Sequence, residues 1–281
     1  MCGIAGIHSP SRSREVLTNI ANNMASAIFH RGPDDDGVWV DENNNIALSF
    51  RRLSIIDTSI CGHQPMISKT GRYIIVFNGE IYNHHFLRRL LESSNVNLKW
   101  NGSSDTEVLL EAIEVWGLSS TLKKCEGMFA LALWDSLEKK LYLSRDRFGE
   151  KPLYWYESEK GFYFSSEPAP LVEMLKIEIS MDVKIISEFL LLGYVASPNT
   201  IYKGMFRCEP STLLTVSKSG VSKINKYWTY PVQHTGVGAT KRASEEELDD
   251  ISEILIKSLK GRIVSDVPIG LFLSSGVDSS L

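Results

Sequence analysis

The 281-residue sequence has few cysteines, and they are scattered: Cys2, Cys61, Cys125 and Cys208, with no Cys-x-x-Cys pair. That spacing excludes a zinc knuckle and a disulfide framework, and it points to a reducing, cytoplasmic compartment where a free thiol survives. Long apolar runs are also missing. The longest, around Ile185 to Ala196, is interrupted by Glu188 and is too short to span a bilayer. No basic segment followed by a long apolar one opens the chain, so no secretory signal is visible. Lys and Arg total 30 against 34 Asp and Glu, a net charge of −4, which leaves no footprint for nucleic acid or a membrane surface. The histidines lack partners at metal-ligand spacing, and His84-His85 reads as a solvated pair at a helix start; no metal site is expected. There is no internal repeat and no low-complexity tract.

What is present is ordinary soluble composition, 43% apolar and 23% charged, at a length that suggests about two domains. A strand over Gly3–His8 precedes a helical stretch with Val16, Leu17, Ile20, Met24, Ala27 and Ile28 on one face. Breaker residues crowd 30–37. Short strands follow at 38–40, 46–50 and 72–77, then two helices. Ser104 and Glu107 read as a capping box for the second, with Val108, Leu109, Ala112, Ile113 and Trp116 on its apolar face. Strands return at 128–134, 141–144, 153–155 and 162–164. Runs of strands separated by runs of helices predict a layered α+β fold. The texture changes near residue 200. Residues 227–243 read as a linker, 244–260 as a helix with Leu248, Ile251, Ile254, Leu255 and Leu259 at helical spacing, and 267–273 as a buried strand.

The chemistry starts at Cys2. If Met1 is removed, one residue carries both a thiol and a free α-amine. An α-amine with a pKa of about 7.7–8.0 is near the ideal for a general base at neutral pH, so Cys2 becomes a candidate self-activated nucleophile for acyl transfer; the other reading is a small buried hydrophobe. Asn78-Gly79-Glu80 ends an apolar strand. An Asn-Gly pair there is most simply a turn, but the Asn78 amide and the Gly79 N–H are also candidate oxyanion donors. Arg51-Arg52 offers guanidinium for a carboxylate, although a lone Arg-Arg is more simply a solvated surface pair, and Asp105, at a helix start, either favours the macrodipole or pairs with an ammonium. Arg145-Asp146-Arg147 reads as a surface ion-pair network. At the end, Leu273, Ser274, Ser275, Gly276, Val277, Asp278, Ser279 and Ser280 form a Ser/Gly-rich turn into a helix. Such a turn is an anion site, or else simply a polar loop near a chain end. It is not a Walker A loop, for it lacks the Gly-Lys-Ser/Thr, and it suits a released pyrophosphate better than γ-phosphoryl transfer.

In order along the chain, Cys2-Gly3-Ile4, Arg31-Gly32-Pro33-Asp34, Arg52-Leu53-Ser54-Ile55, Asn78-Gly79-Glu80-Ile81-Tyr82-Asn83, Ser104-Asp105, Gly127-Met128-Phe129-Ala130, Arg145-Asp146-Arg147-Phe148-Gly149, Lys151-Pro152-Leu153-Tyr154, Ser166-Glu167 and the terminal loop together resemble the glutamine-dependent asparagine synthetases, class II amidotransferases with an N-terminal nucleophile. The resemblance implies a four-layer αββα glutaminase domain at about 2–190, then, at about 205–281, the incomplete start of an α/β adenylating domain. It implies Cys2 as nucleophile, Asn78 and Gly79 as oxyanion hole, and Arg52, Leu53, Ser54, Ile55, Ile56, Glu80 and Asp105 around glutamine, Arg52 on its carboxylate and Asp105 on its ammonium. It further implies ATP and Mg²⁺ as cosubstrate and ion, no prosthetic group, aspartate as acceptor through β-aspartyl-AMP, and leaves a homodimer open. Ser275 departs from the usual Ser-Gly-Gly-x-Asp-Ser-Ser, where the first Gly stands, and the chain alone is expected to act as a glutaminase only. Three rivals remain: the same layout with another acceptor, such as a sugar carboxylate in polysaccharide synthesis; a stand-alone glutaminase; and a non-catalytic domain keeping the fold.

Overall fold

Every residue of the first strand, β1 (Gly3–His8), is buried, so this strand has packed layers on both faces. Alternation divides its side chains. Ile4 joins a cluster with Phe50, Val76 and Phe164, whereas Ala5 and Ile7 pack against Leu17, Ala21 and Met24.

A computed structural model describes residues 1–9, 11–94, 98–174, 180–231 and 244–280. The remaining strands, in chain order, are β2 (Asp35–Asp41), β3 (Ile46–Arg52), β4 (Met66–Ile67), β5 (Tyr73–Ile81), β6 (Gly127–Asp135), β7 (Lys140–Arg145), β8 (Tyr154–Ser158), β9 (Gly161–Ser165), β10 (Met205–Arg207), β11 (Thr212–Ser217) and β12 (Gly220–Lys226). They form two six-stranded sheets, ordered β10-β8-β9-β1-β3-β2 and β12-β11-β7-β6-β5-β4, with antiparallel pairing throughout. The helices are α1 (Arg14–Ala27), α2 (His84–Ser93), α3 (Asp105–Trp116), α4 (Leu118–Lys124), α5 (Pro168–Met174), α6 (Val183–Leu192), α7 (Glu245–Arg262) and α8 (Val277–Ser280). Helices α1 and α5 cover the outer face of the first sheet and α2, α3 and α4 that of the second. Between the sheets lies a core of Ile4, Phe50, Val76, Trp134, Leu143 and Phe164. The architecture is the expected α+β stack of four layers.

Several local expectations change. On α1 the buried face is Leu17, Ala21, Met24 and Ala25, with Val16 41% exposed. Ser104 does cap α3, but through the Thr106 N–H, and Glu107 does not reach back to it. Its carboxylate accepts instead from the Asn101 and Gly102 N–H groups, because the incoming loop folds over the helix start. A capping box does form at Ser244–Glu247 on α7. The linker expected at 227–243 lies mostly outside the described residues. The expected strand over 267–273 is absent: the segment is irregular and Phe272 is 99% exposed, since no described strand lies beside it to pair with. For the same reason no residue of α7 is buried. Among the described residues no helix is long and apolar enough to cross a membrane.

Candidate functional site

Cys2 leads directly into β1, and alternation turns its side chain, like that of Ile4, toward the space between the sheets. Its thiol is fastened to the segment after β3: the Leu53 N–H donates to Sγ at 3.4 Å, and the S–H donates to the Leu53 carbonyl at 3.5 Å. Arg31 holds the Cys2 carbonyl through Nε at 2.9 Å and pairs with Glu167 at 2.8 Å. Ser166 fixes Ile4 through its hydroxyl and its N–H. Burial pushes the Cys2 thiol up from its ordinary pKa, while the Leu53 hydrogen bond, the nearby amino terminus and Lys151 pull it down. Burial lowers the pKa of the Met1 amino group. Met1 itself lines the cleft around Cys2.

The facing wall is β5. Its apolar run continues through Asn78-Gly79-Glu80 to Ile81, pairing with β6 throughout, so the Asn-Gly pair is strand rather than turn. Side chains at 74 and 76 enter the core between the sheets, and Asn78 continues that row toward Cys2. Asn78 is 1% exposed and its Nδ2 has no hydrogen-bond partner. A buried unpaired donor is costly, about 1–3 kcal/mol. The N–H groups of Phe77 and Ile81 turn away from β6, to the Gln64 Oε1 at 2.6 Å and an Asp105 oxygen at 2.8 Å. By the strand's period of two, the Gly79 N–H between them points the same way, into the cleft. A side chain at Gly79 would come within 2.2 Å of the Met128 carbonyl, so the close approach of β6 requires glycine.

The cleft is open to solvent and is lined by Cys2, Arg52, Leu53, Ile55, Ile56, Asn78, Gly79, Glu80 and Asp105 among others. Arg52 is buried, its guanidinium turned to the Ser59 and Asp57 carbonyls, with no ion pair to a described carboxylate. Asp105 begins α3 and is 5% exposed; burial pushes its carboxyl up to about 6. Burial also raises Glu80, with Lys151 opposing. Ser54 stands apart: it does not line the cleft, and its N–H donates to Asp34.

The sequence reading missed Gln64, Thr106 and Lys151, which also line the cleft. Gln64 links the Phe77 backbone to Thr106. Lys151 is 6% exposed, has no described ion pair, and is lowered by burial while Glu80 and Cys2 pull it up. What positions it is the Arg145-Asp146-Arg147 run, which is not a surface ion-pair network. Asp146 is fully buried and accepts from four backbone amides, of Phe129, Phe148, Glu150 and Lys151. Arg145 donates to the Lys151, Cys208 and Gly149 carbonyls. Gly149, at φ +71°, closes the loop between them. His84 is buried against the Ile81 carbonyl rather than solvated.

The terminal loop lies apart from this cleft. Leu273, Ser274, Ser275, Gly276, Val277, Asp278 and Ser280 are exposed and Ser279 is half-buried. The Ser274 N–H donates to the Ser279 hydroxyl and the Gly276 N–H to the Ser274 hydroxyl. Two of the loop's amides are therefore taken by its own hydroxyls. Among the described residues no cluster of three or more His, Cys, Asp or Glu is placed to hold a metal. The loop has the composition of an anion-binding turn.

A free thiol at the head of a central strand, facing an orphaned amide across two stacked sheets, defines an N-terminal-nucleophile amidotransferase fold. A similar fold is seen in the solved glutamine phosphoribosylpyrophosphate amidotransferase of B. subtilis in complex with ADP and GMP, matched over 82% of this chain and 50% of that one, with a TM-score of 0.58 at 18% identity, a likeness of fold alone. The model of the glutamine amidotransferase domain family matches residues 1–228 and that of asparagine synthase residues 250–281. The chain belongs to the class II glutamine amidotransferase family, continued by a short asparagine-synthase segment. It is 34% identical over 300 residues to the putative glutamine-hydrolyzing asparagine synthetase 2 of Methanocaldococcus jannaschii, covering 100% of this chain and 56% of that protein. It is also 34% identical over 286 residues to asparagine synthetase 1 of Bacillus subtilis, covering 100% and 43%. The chain spans about half the length of the curated relatives it matches.

Proposed function

We propose that this chain is the glutamine-hydrolysing part of an asparagine synthetase, a carbon-nitrogen ligase. Cys2 Sγ attacks the side-chain amide carbon of glutamine, giving up its proton to the α-amine freed when Met1 leaves. The oxyanion that forms takes hydrogen bonds from Asn78 Nδ2 and the Gly79 N–H. Collapse expels ammonia, which carries away the proton held by the amine, and leaves a γ-glutamyl thioester. Water hydrolyses the thioester to glutamate and restores the thiol. Arg52 holds the substrate carboxylate, Asp105 its ammonium, and the Lys151 ammonium favours the thiolate. The observation that carries this reading is the Asn78 amide, buried beside the Cys2 cleft with a donor that nothing satisfies. A transient oxyanion is the partner it lacks.

In the whole protein the ammonia would amidate aspartate activated by ATP and Mg²⁺. The relatives named as asparagine synthetases and the match over 250–281 support that acceptor. On the same reading the glutaminase domain runs through β12, whose strand completes the second sheet, and the synthetase part begins at α7. Cys2→Ala tests the core of the proposal. Glutamate release from glutamine should vanish while circular dichroism and Tm stay as in the parent; ammonia release at the parent rate would refute it.

A further inference from the structure

At the end of α7 and just beyond it the chain returns to the glutaminase domain at two points. The Arg262 guanidinium donates to the Tyr82 hydroxyl at 2.7 Å and pairs with Glu150 at 3.0 Å, beside the loop that carries Lys151. Asp266 then meets the irregular segment between β3 and residue 60. Its N–H donates to the Ile55 carbonyl at 2.9 Å, and its Oδ2 accepts the Asp57 N–H at 2.8 Å. We propose that Asp266 is a positioning residue for glutamine, holding the 53–59 loop in the shape that builds the substrate pocket. The proposal rests on the glutaminase reading given above and adds to it a residue from the second segment.

Three observations give the contact consequence. The loop is functionally crowded: Leu53 holds the Cys2 thiol, Ile55 and Ile56 line the cleft, and the Ser59 and Asp57 carbonyls orient Arg52. The loop is also strained at the point of contact. Asp57 sits at φ +51°, a left-handed conformation that a non-glycine residue keeps only when its surroundings impose it. Finally, the other polar groups of Asp57 are already committed within the first 231 residues. Its carboxylate accepts from the Ser59 and Ser103 N–H groups and its carbonyl from Arg52. Only its N–H is left for Asp266, so the second segment supplies the last fastening of this turn.

Asp266 is itself exposed, so Asp266→Ala opens no core cavity, while Asp266→Asn keeps an acceptor oxygen. In the full chain, Asp266→Ala should raise the KM for glutamine about tenfold, the equivalent of one charge-assisted hydrogen bond, with kcat within about twofold. Asp266→Asn should stay close to the parent. Hydrogen exchange at residues 53–59 reads the fastening without turnover: faster in Asp266→Ala, unchanged in Asp266→Asn. Unchanged exchange in Asp266→Ala, faster exchange with an unchanged KM, or an Asn variant as impaired as Ala would each overturn the proposal. A parent chain that hydrolyses no glutamine would refute the glutaminase reading instead, and exchange would still decide the fastening.

Discussion

Asn78 and Asp105 show the same physics with opposite outcomes: each is buried at the cleft, one without a partner and one with a perturbed charge. Asn78→Ala removes a donor that the resting protein does not use, so its cost belongs in the transition state. We expect kcat to fall by about 10²–10³-fold with little change in Tm, measured by steady-state kinetics and thermal melts. Asp105 titrates near 6 because burial penalises its charged form. Substrate ammonium needs the carboxylate, so kcat/KM should fall as pH drops through about 6. For stability the sign is reversed. A carboxyl whose folded pKa is raised stabilises the fold below its unfolded value of 3.8 and loses that contribution as pH rises through about 6. Asp105→Asn should therefore raise Tm at pH 7 while weakening glutamine binding; a lower Tm would contradict the desolvated carboxylate. The Cys2 and Asn78-Gly79 candidates were legible because they sit within short motifs whose residue types have specific chemistry. Lys151 and Gln64 were not, since nothing local shows that a lysine after a turn is turned inward.

At the scale of elements, β1, β2, β3, β5, β6, β7, β8, β9, α1 and α3 could be read from alternation and helical spacing, because burial on one face or both leaves its period in the residues; the short β4 and β10 and the strands β11 and β12 were not read, and the strand expected over 267–273 does not form. The Arg145-Asp146-Arg147 run could not. A charged tripeptide looks solvated, and its burial depends on four amides converging from the β6 strand and the 148–151 loop. That hub is what sets Lys151 at the cleft. Asp146→Ala would strand the four donors, each worth about 1–3 kcal/mol, and should lower Tm by about 10 °C or more in a thermal melt. A fall of a degree or two would mean that water replaces the carboxylate. Glu107 teaches a similar lesson: the Ser104–Glu107 spacing is correct for a capping box, but the incoming loop at Asn101 and Gly102 claims the carboxylate first.

Across the whole molecule, the two sheets place the head of β1 opposite the end of β5, and this arrangement brings residues 2, 52, 78 and 105 to one cleft. No sequence period encodes that meeting; the order of motifs along the chain signals it only through resemblance. The second segment is the converse case. The apolar spacing of α7 was visible, yet Leu248, Ile254 and Leu259 are 52%, 66% and 57% exposed, so the spacing marks a face without a described partner. The central claim is that the thiol of Cys2, freed of Met1, is the nucleophile. A glutamine analogue bearing an electrophilic diazoketone in place of the amide tests it directly, with the intact and peptide masses of the treated protein as readout. The account predicts one adduct per chain, on an N-terminal Cys2, with glutamate release lost in proportion to labelling. An adduct on Cys61 with Cys2 unmodified, or full glutamine hydrolysis by a chain that retains Met1, would contradict it.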